Sequence, residues 1–370
     1  LRIPCLTRAE MLSQIARLKK SIVISGSHGK TTVTSICAVI LESAGLDPTV
    51  VNGGVINSYK TNAKLGSGDW AVIESDESDG SFLKFFPTIG VITNIDKEHI
   101  GHYGSFENLK LAFKTFLKNL PFYGAGIACV DNENVKEIVN TITDRKIITY
   151  SINNESMYRA ENIKKSQKGA IFDIQCPDCK VTNVETSLLG DHNILNSLAA
   201  FAVANELNID HSIVKAALLS FGGVERRFSI LGKIKEALII DDYAHHPTEI
   251  KSVLQSTRQR SSGKLMVICQ PHRFTRLASL FNEFCNCFDI ADIIVLTPVY
   301  KADELEDGKV KSEDLYKALL EKGKDTMFVN NEEEIKALIE KSSFSQGDII
   351  LFVGAGNISK WAHNIWKSLS

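Results

Sequence analysis

The sequence predicts an α/β fold in two domains, each built on a mostly parallel sheet, and three observations carry that expectation. Short runs with apolar, β-branched interiors recur along the chain, as in SIVIS at 21–25 and TIGVIT at 88–93, the texture of strands buried on both faces. Amphipathic stretches of helical length separate these runs, which implies parallel pairing through helical crossovers. The length, 370 residues, suits two domains.

In chain order, 21–25 reads as a buried strand, a glycine-rich turn follows, and the apolar spacing from Lys30 to Ser43 reads as a helix. Residues 69–74 (DWAVIE) and 88–93 read as further buried strands, 106–117 as a helix and 126–130 as a strand. From about 150 to 186 the texture changes to short alternating segments split by polar turns, the pattern of a small antiparallel insertion. Helical spacing returns at 193–207 and 212–220, and Phe221-Gly222-Gly223 reads as a hinge. Strand–helix alternation restarts at 237–240 and continues through 264–269, 292–296, 327–329 and 348–353. The expected division is a leading segment 1–20, a first domain 21–223 and a second 224–370.

Composition narrows the partners. With 42 Lys+Arg against 44 Asp+Glu the net charge is −2, without the basic excess of a general nucleic-acid binder. No run of about 18 uncharged apolar residues occurs, and no basic-then-apolar stretch opens the chain, so a cytoplasmic protein without membrane insertion is expected. Eight scattered cysteines fit reduced thiols rather than a disulfide framework. Cys176-Pro177-Asp178-Cys179 has zinc-ribbon spacing, but no second Cys or His pair completes four ligands, and it reads as a hairpin turn carrying two thiols.

The sharpest local signal is Gly26-Ser27-His28-Gly29-Lys30-Thr31-Thr32, directly after a predicted strand and opening a helix. Glycines let the backbone turn tightly, so that N–H groups and the positive end of the helix face phosphate oxygens. Lys30 would meet the β- and γ-phosphates, and the Thr31 hydroxyl would hold magnesium. The loop is a shorter variant of the general phosphate-loop pattern, whose first glycine position is Ile24 here. ATP or GTP binding is expected from this segment alone. Glu74-Ser75-Asp76-Glu77-Ser78-Asp79 closes the next buried strand, where open α/β sheets place their ligands. Glu74, nearest the strand, is the better metal candidate; Asp76, Glu77 and Asp79 read equally as a solvated acidic turn. His99, after the strand at 88–93, reads either as a metal ligand or as a surface histidine.

Seven motifs in order resemble the Mur ligases, the ATP-dependent amide-forming enzymes of bacterial cell-wall precursor synthesis. They are G-S-H-G-K-T-T, E-S-D-E-S-D-G-S-F, T-N-I-D-K-E-H, G-D-H-N-I-L-N-S-L-A-A, E-R-R-F, D-D-Y-A-H-H-P-T-E and Q-P-H-R-F-T-R. The resemblance runs from about residue 3 to the C-terminus. It implies a central P-loop ATPase domain and a C-terminal Rossmann-like domain that closes over the nucleotide. Glu77-Ser78-Asp79-Gly80-Ser81-Phe82 and the doubled His245-His246 favour the member that joins L-alanine to UDP-N-acetylmuramate. The tripeptide-adding member of cell-wall recycling is the nearest rival and usually has Tyr where Ser78 stands. A nucleotide-dependent switch protein is the alternative from another class.

The resemblance also implies roles residue by residue. The ATP-side set is Gly26, Ser27, His28, Gly29, Lys30, Thr31, Thr32, Asn52, Asn193, Asn196, Arg227 and Asp242. The metal set, for Mg2+ or Mn2+, is Thr31, Glu74 and His99, with Glu98 where the family commonly has Asp. Lys30, Glu74, His99, Arg227, His245 and Arg273 are the expected catalytic set. Lys110 and Lys114 fall near the position where some members carry a carbamylated lysine, but both read as a solvated helix face. Gly354-Ala355-Gly356-Asn357 is a weaker phosphate-turn signal, and homo-oligomerisation is left open. The family's N-terminal UDP-gripping domain has no counterpart in this sequence, and Leu1–Met11 resembles the segment that follows it. On that reading the chain is expected to bind ATP and magnesium, to bind the UDP-sugar poorly and to turn over little.

Overall fold

A computed structural model describes residues 5–305 and 310–370; residues 1–4 of the expected leading segment lie outside the described residues. The chain forms two compact units that meet in sequence at Val224 and Glu225. A helix at Arg8–Ala16 precedes the first sheet. It begins at a capping box in which the Thr7 hydroxyl accepts from Glu10 N–H at 3.3 Å and Glu10 accepts from Thr7 N–H at 2.8 Å.

The first unit holds β1 (Lys20–Ser25), β2 (Thr49–Ile56), β3 (Thr61–Lys64), β4 (Trp70–Glu74), β5 (Ile89–Ile92), β6 (Ala125–Cys129), β7 (Lys146–Ser151), β8 (Tyr158–Ser166), β9 (Gly169–Gln175) and β10 (Lys180–Thr186). They form one sheet in the order β10-β9-β8-β7-β6-β5-β1-β4-β2-β3. Pairing is parallel from β2 across to β8; only β2–β3, β8–β9 and β9–β10 are antiparallel. The antiparallel stretch expected near 150–186 thus extends the main sheet instead of standing apart, because β8 pairs parallel with β7 through Tyr150↔Tyr158.

Alternation in β1 assigns the two faces. Ile22 and Ile24 join one core with the helices Lys30–Ser43, Asp191–Glu206 and His211–Ser220. Val23 points to the other, packed with Phe113 and Phe116 of the Phe106–Lys118 helix. With both faces covered, every residue of Ile22-Val23-Ile24 is buried, which is why the run carries no polar alternation. Because β1 lies between β4 and β5, its C-terminal end opens where the connections diverge, the position that binds ligands in such sheets.

The second unit holds β11 (Ser229–Ile234), β12 (Ala237–Asp242), β13 (Leu265–Cys269), β14 (Ile293–Leu296), β15 (Thr326–Phe328) and β16 (Ile349–Val353), in the order β11-β12-β16-β13-β14-β15. All pairs are parallel except β11–β12. Ile240, Val267 and Leu351 face one core; Ile239, Ile268 and Phe352 face the other, under the Ile358–Leu369 helix. No helix among the described residues is long and apolar enough to cross a membrane.

Burial makes the first sheet's helical cover sensitive to truncation. Phe201, fully buried on the Asp191–Glu206 helix, is expected to cost about 3–5 kcal/mol as Phe201→Ala. Phe122→Ala, at a side chain 90% exposed, is expected to stay within about 0.5 kcal/mol. Urea unfolding of the two variants checks the contrast, and equal losses would contradict this packing.

Candidate functional site

The loop after β1 is held open by the segment after β5. Ser27 N–H donates to the Asn94 carbonyl at 3.0 Å and His28 N–H to Asn94 Oδ1 at 2.8 Å. The Thr93 hydroxyl and the Asn94 amide both donate to the His28 carbonyl, at 2.6 and 3.0 Å. The His28 ring lies 2.8 Å from Asp96, so its side chain supports the loop from outside. Gly26 has φ +133°, and a Cβ there would stand 2.2 Å from Thr93 Oγ1.

These bonds commit the Ser27 and His28 N–H groups to Asn94. The donors left for an anion are those of the helix's first turn, at Lys30, Thr31 and Thr32, which have no partner within a helix. Gly29, at φ +83°, ends the loop as an N-cap without a side-chain acceptor. An uncapped N-terminus on a 14-residue helix presents the positive end of its dipole to whatever sits in the loop.

Two groups of ligating side chains gather beside it. In one, the Thr31 hydroxyl donates to Glu74 Oε1 at 2.9 Å, while Glu74 Oε2 accepts from Gly53 N–H at 2.7 Å. In the other, ligand atoms of Asp76, Glu77 and His99 lie within 4.8 Å of one another. Lys30 reaches the second group: its Nζ donates to Glu77 Oε2 at 2.7 Å, and to the Gly26 and Ser27 carbonyls at 2.5 and 3.1 Å. Burial works against the Lys30 charge, but the Glu77, Asp76 and Glu74 carboxylates outweigh it and hold the ammonium well above the ordinary lysine range. Burial pushes the Glu77 carboxyl up to about 7 despite Lys30.

Oxygen donors at Thr31 and Glu74 suit a hard divalent cation. The second group adds an imidazole, which manganese accepts more readily than magnesium does. Glu77 Oε1, buried and without a hydrogen-bond partner, is the orphaned acceptor that a cation would satisfy. The residues present therefore fit Mg2+ or Mn2+.

The structure places the remaining first-unit candidates unequally. Asn196 Oδ1 would stand 2.7 Å from a Cβ at Gly29, which puts it against the loop, and its amide donates to Asn193 Oδ1 at 3.0 Å. Asn193 in turn donates to the Leu189 carbonyl at 2.8 Å. Asn52 is buried with Oδ1 unpartnered while its amide donates to Ser35 and Gly54. Lys110 forms ion pairs with Glu107 and Glu137 at 3.0 and 2.9 Å on a helix face. Cys176 and Cys179 sit at a hairpin turn, joined through Cys176 N–H and the Cys179 carbonyl at 2.8 Å.

In the second unit the candidates gather at the C-terminal ends of β12 and β13. Asp242 is buried, accepting from Phe228 N–H and Ala244 N–H, each at 2.7 Å, and burial raises its carboxyl to about 6 against the pull of Arg227. It thus fixes the strained stretch in which Arg226 and Phe228 take φ of +58° and +52°. The Arg226 and Arg227 guanidiniums lie 4.7 and 5.3 Å from the Tyr243 ring centroid. His245 sits between the Tyr243 and His272 rings, at 5.3 and 5.6 Å. Its Nδ1 is 3.0 Å from the Tyr243 carbonyl, which can only accept, so Nδ1 carries the proton and Nε2 is an acceptor. Arg273 has φ +69° and an exposed side chain at the start of the helix Phe274–Ser279. The Gly354–Asn357 turn is tied to Gln270, whose amide donates to Asn357 at 2.7 Å and whose Oε1 would stand 2.4 Å from a Cβ at Gly356. Close packing against Gln270 accounts for that glycine without a ligand.

Glu77 is the residue that sequence reasoning undervalued. The acidic run after β4 named it among four acids, but only the turn geometry separates them: Glu77 is 1% exposed, whereas Asp76, though its carboxylate lies near Glu77 and His99, and Asp79 are exposed residues.

The first unit matches the family model of the Mur ligase middle domain over residues 24–204, and the second that of the Mur ligase, glutamate ligase domain over 226–356. A protein of Paramagnetospirillum magneticum named UDP-N-acetylmuramate--L-alanine ligase is 45% identical across all of this chain and 79% of its own length. One of the same name from Chelativorans is 44% identical over 99% of this chain and 80% of its own length. The solved UDP-N-acetylmuramate-alanine ligase of Thermotoga maritima is 29% identical with a TM-score of 0.81, covering 97% of this chain and 77% of that one. A murein peptide ligase structure from Psychrobacter arcticus shares the fold at 21% identity and TM-score 0.71, over 98% of this chain and 80% of that one.

The state of His245 has a thermodynamic signature. Burial, reinforced by Arg276 and His272 and opposed by Glu249, lowers its imidazole to about 3, with the side chain 18% exposed. A folded pKa below the unfolded value of about 6.5 stabilises the fold above that value and is lost as pH falls toward 3. Wild type is therefore expected to lose about 2 kcal/mol relative to His245→Gln between pH 7 and pH 5. Urea titrations at both pH values check this, and parallel losses would contradict it.

Proposed function

This chain belongs to the Mur ligase family, and we propose that it joins L-alanine to the lactyl carboxylate of UDP-N-acetylmuramate at the expense of ATP, in peptidoglycan precursor synthesis. Its 44–45% identity to proteins named for that reaction, across essentially the whole chain, supports the choice of member. The observation that carries the chemistry is the convergence of Lys30, Thr31, Glu74, Glu77 and His99 at the ends of β1, β4 and β5. A bacterial cytoplasm, where the nucleotide-linked sugar and ATP occur together, is the corresponding location.

The reaction explains the need for these groups. A carboxylate does not condense with an amine at neutral pH, because its oxygen is a poor leaving group. Transfer of the γ-phosphoryl group to the lactyl carboxylate gives an acyl phosphate and ADP; the alanine amine then adds to the carbonyl, and the tetrahedral intermediate expels phosphate. Negative charge concentrates in both steps, so positioned cations and donors dominate the catalysis.

Lys30 places a point charge on the β- and γ-phosphates, and the N–H groups at Lys30, Thr31 and Thr32 receive their oxygens. Thr31, Glu74 and His99 would hold the divalent cation or cations, whose chemistry is to neutralise the transferring phosphoryl oxygens. Asn193 and Asn196 serve the adenine side, and Asn52 the γ-phosphate side. In the second unit Arg227 serves a phosphate, with Asp242 fixing the strand end that presents it. Arg273 has the planar donor set that clamps a carboxylate. Neutral His245, with Nε2 as acceptor, suits the amine that must lose a proton as it attacks.

In a protein that also carries the family's UDP-gripping domain, release of phosphate from ATP is expected only when UDP-N-acetylmuramate and L-alanine are both present. Constant release without either would favour a nucleotide switch, and release with tripeptide in place of alanine would favour the recycling ligase. Lys30→Gln, which keeps donors toward Glu77, is expected to lower turnover by about 10²–10³. The fold should stay intact by circular dichroism. Turnover within threefold of wild type would defeat the assignment of Lys30.

A further inference from the structure

Lys30 has three N–H donors, and each has a protein acceptor: the Gly26 carbonyl, the Ser27 carbonyl and Glu77 Oε2. A phosphate oxygen can engage this ammonium only by displacing one of them. The carbonyls belong to the loop itself and move with it; Glu77 is the charged competitor, on a separate strand end. Its main chain is pinned, since Gly80 N–H and the Tyr103 hydroxyl both donate to the Glu77 carbonyl. Its side chain is only 1% exposed, so its carboxylate is not hydrated where it stands, and Oε1, already without a hydrogen bond, lies 3.5 Å from His99 Nε2.

Losing Lys30 to a phosphate would leave a buried carboxylate beside an arriving polyanion, an arrangement that is unfavourable unless a proton or a new cation neutralises it. The ligand atoms of Asp76 and His99 lie within 4.8 Å of those of Glu77, where a divalent cation finds three donors. We propose that Glu77 is a positioning residue that couples the nucleotide to the cation: the triphosphate takes Lys30 from Glu77, and the cation takes the place of Lys30. Triphosphate binding then depends on the metal through the protein, in addition to the metal's own affinity for the phosphates. The inference rests on the ATP-binding reading above and adds to it the residue that enforces the metal requirement.

The test measures ATP affinity by isothermal titration calorimetry, once with excess Mg2+ and once with EDTA, on wild type, Glu77→Gln, Glu77→Asp and Asp79→Asn. Wild type is expected to bind at least tenfold more weakly in EDTA. Glu77→Gln leaves no carboxylate to strand, so its ratio between the two conditions should shrink at least fivefold, chiefly through tighter binding in EDTA. Glu77→Asp keeps the charge and should keep most of the ratio, while Asp79→Asn removes a nearby exposed charge and should leave it unchanged. A purely structural role would move both conditions together. An unchanged ratio in Glu77→Gln, or the same shrinkage in Asp79→Asn, overturns the coupling. Failure of wild type to bind ATP even with Mg2+ would instead refute the nucleotide reading itself.

Discussion

A lysine and a glutamate, both largely withdrawn from water, face each other at the end of one parallel sheet, and the site is organised around keeping that pair neutral. Neither charge would be tolerated there alone. The backbone of Lys30 is held by the helix it opens and that of Glu77 by hydrogen bonds to its carbonyl, and their side chains meet at 2.7 Å with Glu77 only 1% exposed. Such a pair is a weak device for stability and a good one for function. It holds a cation ready in a low-dielectric pocket, where its attraction for phosphate is least screened.

The sheets were legible in the sequence because burial on both faces leaves an unambiguous mark. Ile22-Val23-Ile24 and the strands β13, β14 and β16 of the second unit are continuous apolar runs, and their helical crossovers carry the complementary periodicity. β7 escaped although Ile148 and Tyr150 join the core, and β2 and β11 escaped because their residues answer partly to something other than a core. In β2, Asn52-Gly53-Gly54 interrupts the apolar run, and the pairing with β3 shifts register between Val51 and Ile56. A Cβ at Gly53 would lie 2.7 Å from the Glu74 carboxylate, so a glycine is needed exactly where a strand pattern would avoid one. In β11 the irregularity between Ile230 and Gly232 has a comparable cause, since a Cβ at Gly232 would meet the Trp366 ring at 2.5 Å.

The site was legible as a set of motifs, and less so as a geometry. Phosphate-loop spacing located Lys30 and Thr31 and implied which strand ends would supply acids. It did not distinguish Glu77 from Asp76 or Asp79, because the turn at 75–80 decides which carboxylates point inward, and Gly80 at φ +70° helps to set that turn. Nor did the motif tell that Ser27 and His28 give their N–H groups to Asn94, since that depends on a segment more than sixty residues away. Local spacing encodes which chemistry is available; the tertiary pairing of β1 with β4 and β5 determines which atoms deliver it.

The central claim is that ATP activates a carboxylate by phosphorylating it. Its most direct measurement uses UDP-N-acetylmuramate labelled with 18O in the lactyl carboxylate, turned over with ATP and L-alanine by a protein that also carries the family's UDP-gripping domain, with the released phosphate examined by mass spectrometry. An acyl phosphate intermediate requires one labelled oxygen to pass from the carboxylate to each phosphate formed. Phosphate released in step with the amide product but carrying no label would contradict the account.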